Sequence, residues 1–215
     1  MKAKFEQEED GLAPSTARLE AFSDGVIAII VTLLIFEIKI PELHDASSVG
    51  VGSALWAIAP KFLGFVISFF TVCIFWVNHH YFMHALRRSD RSLLWYNNHL
   101  LFWLAIVPFV TAFVGDYPLQ PMVIALYALV MMMSTVAFAS MIHYVFFRGH
   151  LAGAHVSEGL KKQEFHRALF GAACYALAGV VAFIHPYISL AIFVVLPLYY
   201  VVPRLLSRTE VARHV

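Results

Sequence analysis

Charge is what this chain has least of. Asp, Glu, Lys and Arg together make up 13% of its 215 residues, while 60% are hydrophobic. A soluble domain carries about a quarter charged residues. Too little polar surface remains here to coat a water-soluble globule, and a mean hydropathy of +0.74 makes lipid the natural solvent. Cysteine is also scarce. Cys73 and Cys174 are the only two, each inside an apolar run. That excludes a disulfide framework and zinc-type Cys/His spacing, so both are read as small buried hydrophobes. The first 18 residues, MKAKFEQEEDGLAPSTAR, lack the apolar stretch of a secretory signal. The first apolar segment is therefore expected to act as its own insertion signal. Gly-x-Ser-x-Gly and His-Glu-x-x-His are both missing, so no enzymatic activity is indicated. Neither a cofactor, a metal nor a nucleic-acid partner is assigned.

What is present is a series of apolar runs. A helix needs about 20 mostly apolar residues to cross a bilayer. Six runs qualify, at Leu19–Ile38 (ending at Pro41), Ala54–Phe75 with its pattern continuing to Leu86, Leu93–Val114, Met122–Phe147, Ala168–Ile184 and Tyr187–Val202. The last two are joined only by His185-Pro186, which predicts a tight hairpin. The stretch from Gly149 to Glu164 reads as a polar loop with some helix. The fold class is thus all-α, a polytopic membrane protein with six transmembrane helices.

The basic residues fix an orientation. Of 15 Lys and Arg, three lie at the N-terminus (Lys2, Lys4, Arg18), and three lie between the second and third runs (Arg87, Arg88, Arg91). Four lie between the fourth and fifth runs (Arg148, Lys161, Lys162, Arg167), and three follow the sixth (Arg204, Arg208, Arg213). The alternate loops hold only Lys39 and Lys61. The positive-inside rule then puts both termini in the cytoplasm. Five or seven helices would leave a basic group outside. Trp56, Trp95, Tyr117, Tyr199 and Tyr200 fall near run ends, as interfacial aromatics do.

The first run is the unusual one. Asp24 sits at least a turn inside it, and a charge at membrane depth costs roughly 2.5–3.5 kcal/mol on insertion scales. Asp24 therefore needs partners, either a structural polar network or an ion or proton. Further along, Ile29, Thr32, Leu33 and Phe36 follow i, i+3, i+4, i+7 spacing and share one stripe. At about 100° per residue, Asp24 lies roughly 140° from Ile29, so the two serve different surfaces. The second run ends with Trp76, Asn78, His79, His80 and His84, and the third begins Trp95-Tyr96-Asn97-Asn98-His99. His80 and His84 are i, i+4, a spacing able to hold a metal. All of these lie at the membrane depth of Arg18 and Asp24. Three helices placing polar groups at one level predicts an interhelical network.

These residues carry a resemblance. Arg18-x-x-x-Phe22-Ser23-Asp24 followed by Thr32-Leu33-Leu34 resembles the first-helix motif of the transmembrane protein 175 family of potassium channels. Trp76-x-x-His79, Asn97, Pro108 and Thr111 match it too, and the resemblance runs from Arg18 to about Leu206. It implies a six-helix channel unit over residues 18–206, with cytoplasmic tails at 1–17 and 207–215. It further implies a homotetramer in the cell membrane that conducts K+ over Na+ modestly, with some proton leak. The first helices would line the pore, with Ile29 its narrowest layer and Thr32 or Leu33 and then Phe36 the layers beyond. Arg18, Phe22, Ser23 and Asp24 would form a scaffold with Trp76, His79 and Asn97. Phe36 departs from the family, which carries an aliphatic residue there. No Thr-Val-Gly-Tyr-Gly loop is present, so selectivity by carbonyl rings is unavailable and a dewetting apolar ring takes its place.

Two other classes stay open. A haem-binding redox protein would use facing histidines such as His79 or His80 with His99. A secondary transporter would show paired repeats and broken helices, and neither is evident.

Overall fold

The computed structural model describes residues 16–39, 47–153 and 156–211, with side chains to 201. Pro41 and residues 1–15 of the expected N-terminal tail lie outside the described residues. The described residues are helical almost throughout and form eight α-helices, in order: α1 Thr16–Phe36, α2 Ser48–Ala57, α3 Ala59–His84, α4 Arg91–Ala105, α5 Val107–Asp116, α6 Pro121–His143, α7 Glu158–Val181 and α8 Pro186–Val211. A π-helical turn, Tyr144–Arg148, extends α6. Among the described residues there is no strand, only an isolated bridge between Leu86 and Ala152.

Prolines set several of these boundaries. Pro60 and Pro108 sit second in α3 and α5, and Pro121 and Pro186 open α6 and α8. A proline in the first turn loses nothing, because that N–H has no intrahelical partner. The same residue cannot continue a helix arriving from upstream. The second apolar run is therefore not one helix from Ala54. It is α2, a junction at Ile58, and α3. The third run likewise breaks at Ile106 into α4 and α5. The loop expected from Gly149 to Glu164 is shorter than its polarity suggested. Ser157 accepts from the Leu160 N–H at 3.3 Å and starts α7 at Glu158. Asp90 caps α4 in the same way, taking the Leu93 N–H at 2.7 Å.

Among the described residues four stretches are long and apolar enough to cross a membrane: Thr16–Phe36, Ala59–His84, Arg91–Asp116 and Pro121–Arg148. In Pro186–Val201 the apolar helix is shorter. The central helix is α6, which packs against α4, α5 and α7 and buries Ile124, Met131, Met141 and Ile142 completely. Phe138 meets Phe75 and Phe82 edge-on at 6.4 and 5.8 Å. Outward-facing positions are apolar instead of polar. Leu63, Phe102, Phe109, Val180, Ile184 and Val195 are all exposed, as lipid-facing side chains are. Trp56, Trp95, Tyr117 and Tyr199 are exposed as well. Cys73 and Cys174 are free thiols.

Two basic segments far apart in sequence meet at one end of the bundle. Arg87 N–H donates to Leu151 O, and Gly153 N–H to Ala85 O, both at 2.9 Å. Asp90 also accepts from the Tyr144 hydroxyl. The α3–α4 connection, with Arg87, Arg88 and Arg91, is thereby tied to the segment after Arg148. At the other end of α3, Lys61 pairs with Asp116 of α5 at 2.5 Å.

Candidate functional site

The first helix has two dissimilar faces. Leu19, Ser23, Ile27, Ile30 and Leu34 are buried against α3, α4 and α5. The residues between them are not. Phe22, Ile29, Leu33 and Phe36 are exposed, with Ile29 at 60% and Phe36 at 75%, and Thr32 is exposed beside them. The predicted stripe is thus brought together on one uncovered face. Thr32 Oγ1 donates to Ile29 O at 2.9 Å. Its proton is spent on its own helix, which leaves the oxygen as an acceptor. Gly25 lies on the uncovered side, and a Cβ built there meets nothing within 4 Å.

The buried face is pinned by a polar layer. Ser23, His79 and Asn97 come from α1, α3 and α4, and all three are fully buried. Asn97 Nδ2 donates to Ser23 Oγ at 3.0 Å, and Ser23 passes its own proton to Leu19 O at 2.8 Å. The Asn97 carbonyl oxygen lies 2.8 Å from His79 Nε2 and also 3.2 Å from Ser23 Oγ. With the amide nitrogen committed to Ser23, His79 must donate from Nε2. Its Nδ1 is buried without a partner. One residue on, Asp24 Oδ1 accepts from Trp76 Nε1 at 2.9 Å. Asp24 thus points away from the Ile29 stripe, as the angular spacing predicts.

Not every predicted scaffold residue joins this layer. Arg18 is exposed, and among the described residues no hydrogen bond or ion pair ties it to Ser23 or Asp24. Phe22 is exposed on the same side as Ile29. Sequence reasoning missed Glu20, whose Oε1 lies 3.3 Å from His80 Nδ1. Its i, i+4 spacing to Asp24, which places the two on one seam, was the available signal. Pro108 and Thr111 fall in a second buried cluster, where Thr111 Oγ1 is 2.7 Å from Ser68 and Ser68 is 3.0 Å from the Tyr127 hydroxyl. The histidines proposed for haem are engaged elsewhere. His99 Nε2 takes the Trp103 indole N–H at 3.0 Å, and His80 Nε2 lies 3.1 Å from His84.

Among the described residues, a helical bundle with an apolar exterior and a polar layer buried at one level defines an integral membrane protein. The family profile described as "Endosomal/lysosomal potassium channel TMEM175" matches residues 18–108. A potassium channel of Chryseobacterium sp. (strain P1-3) is 34% identical over 188 residues, covering 86% of this chain and 92% of that protein. The human endosomal/lysosomal proton channel TMEM175 is 40% identical over 111 residues, 49% of this chain and 20% of the human one. A crystal structure of a lysosomal potassium-selective channel TMEM175 homolog from Chamaesiphon minutus superposes with a TM-score of 0.76 at 30% identity, covering 86% of this chain and 95% of that one. The chain belongs to the TMEM175 family.

Proposed function

We propose that the chain is one subunit of a homotetrameric potassium channel of the cell membrane, its pore lined by α1 of each copy. The observation that carries this reading is the uncovered face of α1. Ile29, Thr32, Leu33 and Phe36 lie exposed along a helix whose opposite face is held through Ser23 by two buried polar residues of neighbouring helices, Asn97 and His79. The stripe differs from the lipid-facing positions elsewhere in holding Thr32 among its apolar members, on the helix that also carries Ser23 and Asp24. Around a fourfold axis the stripe becomes a conduit. Ile29 forms its narrowest ring, Thr32 brings an exposed hydroxyl oxygen, and Phe36 forms the outer layer in place of an aliphatic side chain. An apolar ring offers an ion no hydrogen-bond partner, so it favours the ion that sheds water more cheaply, potassium over sodium. Modest selectivity with some proton leak follows.

In this reading the unit spans residues 18–206 with six membrane crossings, flanked by tails at 1–17 and 207–215. Both termini are cytoplasmic. The contact between the Arg87–Arg91 loop and the segment after Arg148 supports it, since it gathers the basic residues at one end. Ser23, Asp24, Trp76, His79 and Asn97 position the pore helix, with Arg18 and Phe22 beside them, and no cofactor takes part.

The test is ion flux from liposomes holding purified protein under potassium, sodium and caesium gradients. Potassium flux that exceeds sodium flux and does not saturate is the expected result. Flux that saturates and requires a coupled gradient would make the protein a transporter instead. Absence of flux, or a detergent-solubilised mass equal to one chain, would overturn the channel.

A further inference from the structure

We propose that Glu20, His80 and His84 form a binding site for a zinc-type divalent metal ion at the seam between α1 and α3. The three residues come from two helices, and neither helix alone carries the set. His80 and His84 are one turn apart on α3, with their Nε2 atoms 3.1 Å apart. Glu20 reaches across from α1, placing Oε1 3.3 Å from His80 Nδ1. One ligand atom from each of the three lies within 4.8 Å of the other two.

The spacing suits a metal. Ligand atoms about 2.0–2.2 Å from a tetrahedral zinc ion are about 3.3–3.6 Å from one another. The two short separations use opposite nitrogens of His80, so loading the site turns one ring until a single His80 nitrogen faces both partners. A second observation points the same way. His80 Nδ1 is buried and, although it lies beside the Glu20 carboxylate, it makes no hydrogen bond. A buried ring nitrogen held 3.3 Å from a carboxylate oxygen without hydrogen-bond geometry between them leaves a ligand atom that a cation can use.

Two imidazoles and one carboxylate select zinc, nickel or copper over magnesium or calcium, which take oxygen ligands. His84 is exposed, leaving a fourth position for water. The surroundings hold the site in place. The Trp76 ring stacks on His80 at 5.9 Å and 28°, and its indole N–H is fixed by Asp24 one turn along α1 from Glu20. Outer partners of this kind orient ligands and tune affinity. A bound ion would strap α1 to α3 beside the Asp24–Trp76 contact. The proposal does not rest on the channel reading, because its primary readout is binding.

The experiment is calorimetric titration of zinc chloride into the purified, untagged protein in detergent, alongside thermal melting with zinc and with EDTA. A single ion per chain is expected, together with a zinc-dependent rise in melting temperature. His84→Ala and Glu20→Gln should each weaken binding about tenfold or more, since losing even an outer partner has effects of that size. Both should melt like the parent in EDTA, because neither side chain belongs to the buried Ser23–Asn97–His79 layer. His185→Ala, in the turn between α7 and α8, should leave binding unchanged. Should His84→Ala fail to fold, His84→Gln serves in its place. No zinc binding, or binding unchanged by both ligand variants, would overturn the site. Weakening by the His84 variant alone would remove Glu20 and with it the bridge between helices.

Discussion

The imidazole of His79 and the carboxamide of Asn97 meet at 2.8 Å, each fully buried, and through Ser23 they join three helices at one membrane depth. Asn97 is the only member that touches both others. Its nitrogen donates to Ser23 while its oxygen faces both His79 and Ser23, so it brings a donor and an acceptor to one junction.

Asn97→Ala should therefore be more damaging than either neighbouring substitution. It leaves the His79 N–H unpaired and takes away the Ser23 partner, at about 1–3 kcal/mol for a buried group left unsatisfied. Ser23→Ala in that background should add little, because the shared contact is already gone. Thermal melting of the solubilised protein, with the three variants compared as a cycle, checks both statements. Fully additive losses would mean that the two residues act independently.

The Asp24–Trp76 contact makes a separate claim. Trp76→Phe keeps an aromatic ring and removes only the indole donor, so it should cost about 1.5–3 kcal/mol, the range for a hydrogen bond to a charged group. Asp24→Ala should cost a similar amount and disturb assembly more than permeation. Size-exclusion profiles and reconstituted flux on the same preparations test this. A stable oligomer of Asp24→Ala that has lost its preference for potassium would make Asp24 an ion ligand.

Ile29→Asn should wet the proposed constriction, raising conductance and weakening discrimination against sodium. Val194→Asn is the matched control, since Val194 is also exposed but lies on α8. Reversal potentials of the two variants decide the matter, and an Ile29→Asn channel indistinguishable from the parent would take Ile29 out of the pore.

Asp90 performs two tasks, capping α4 through Leu93 N–H and accepting from the Tyr144 hydroxyl on the π-helical turn. Asp90→Ala should lose about 1 kcal/mol from the cap alone. Tyr144→Phe removes the second contact and leaves the first. Asp90→Ala should thus destabilise more than Tyr144→Phe in chemical or thermal melts.

Much of this was legible in the residues. Counting angles around the first helix separates Asp24 from Ile29, and the two do face different surroundings. The depth of Ser23, His79 and Asn97 could be read from the basic loops that follow or precede their helices. The breaks at Ile58 and Ile106 were marked in the sequence only by Pro60 and Pro108, and the apolar runs around them outweighed that signal. Glu20 was hidden for a different reason. Its role depends on which turn of α1 faces which turn of α3, and that register is decided by packing between helices. Arg18 shows the reverse case, a motif residue whose side chain stays exposed within the single chain.

Gly25 carries a consequence for how subunit and assembly compete. A glycine inside a helix is worth about 1 kcal/mol less than alanine, and the space around this one would accept a methyl group without contact. The lone chain thus forgoes stability at this position with no steric need of its own. Gly25→Ala should make the isolated subunit harder to melt, while any partner helix that approaches closely at that turn would be pushed away. Stability of the part and fitness of the whole are then set against each other at one carbon atom, and a variant chosen for the first is a poor guide to the second.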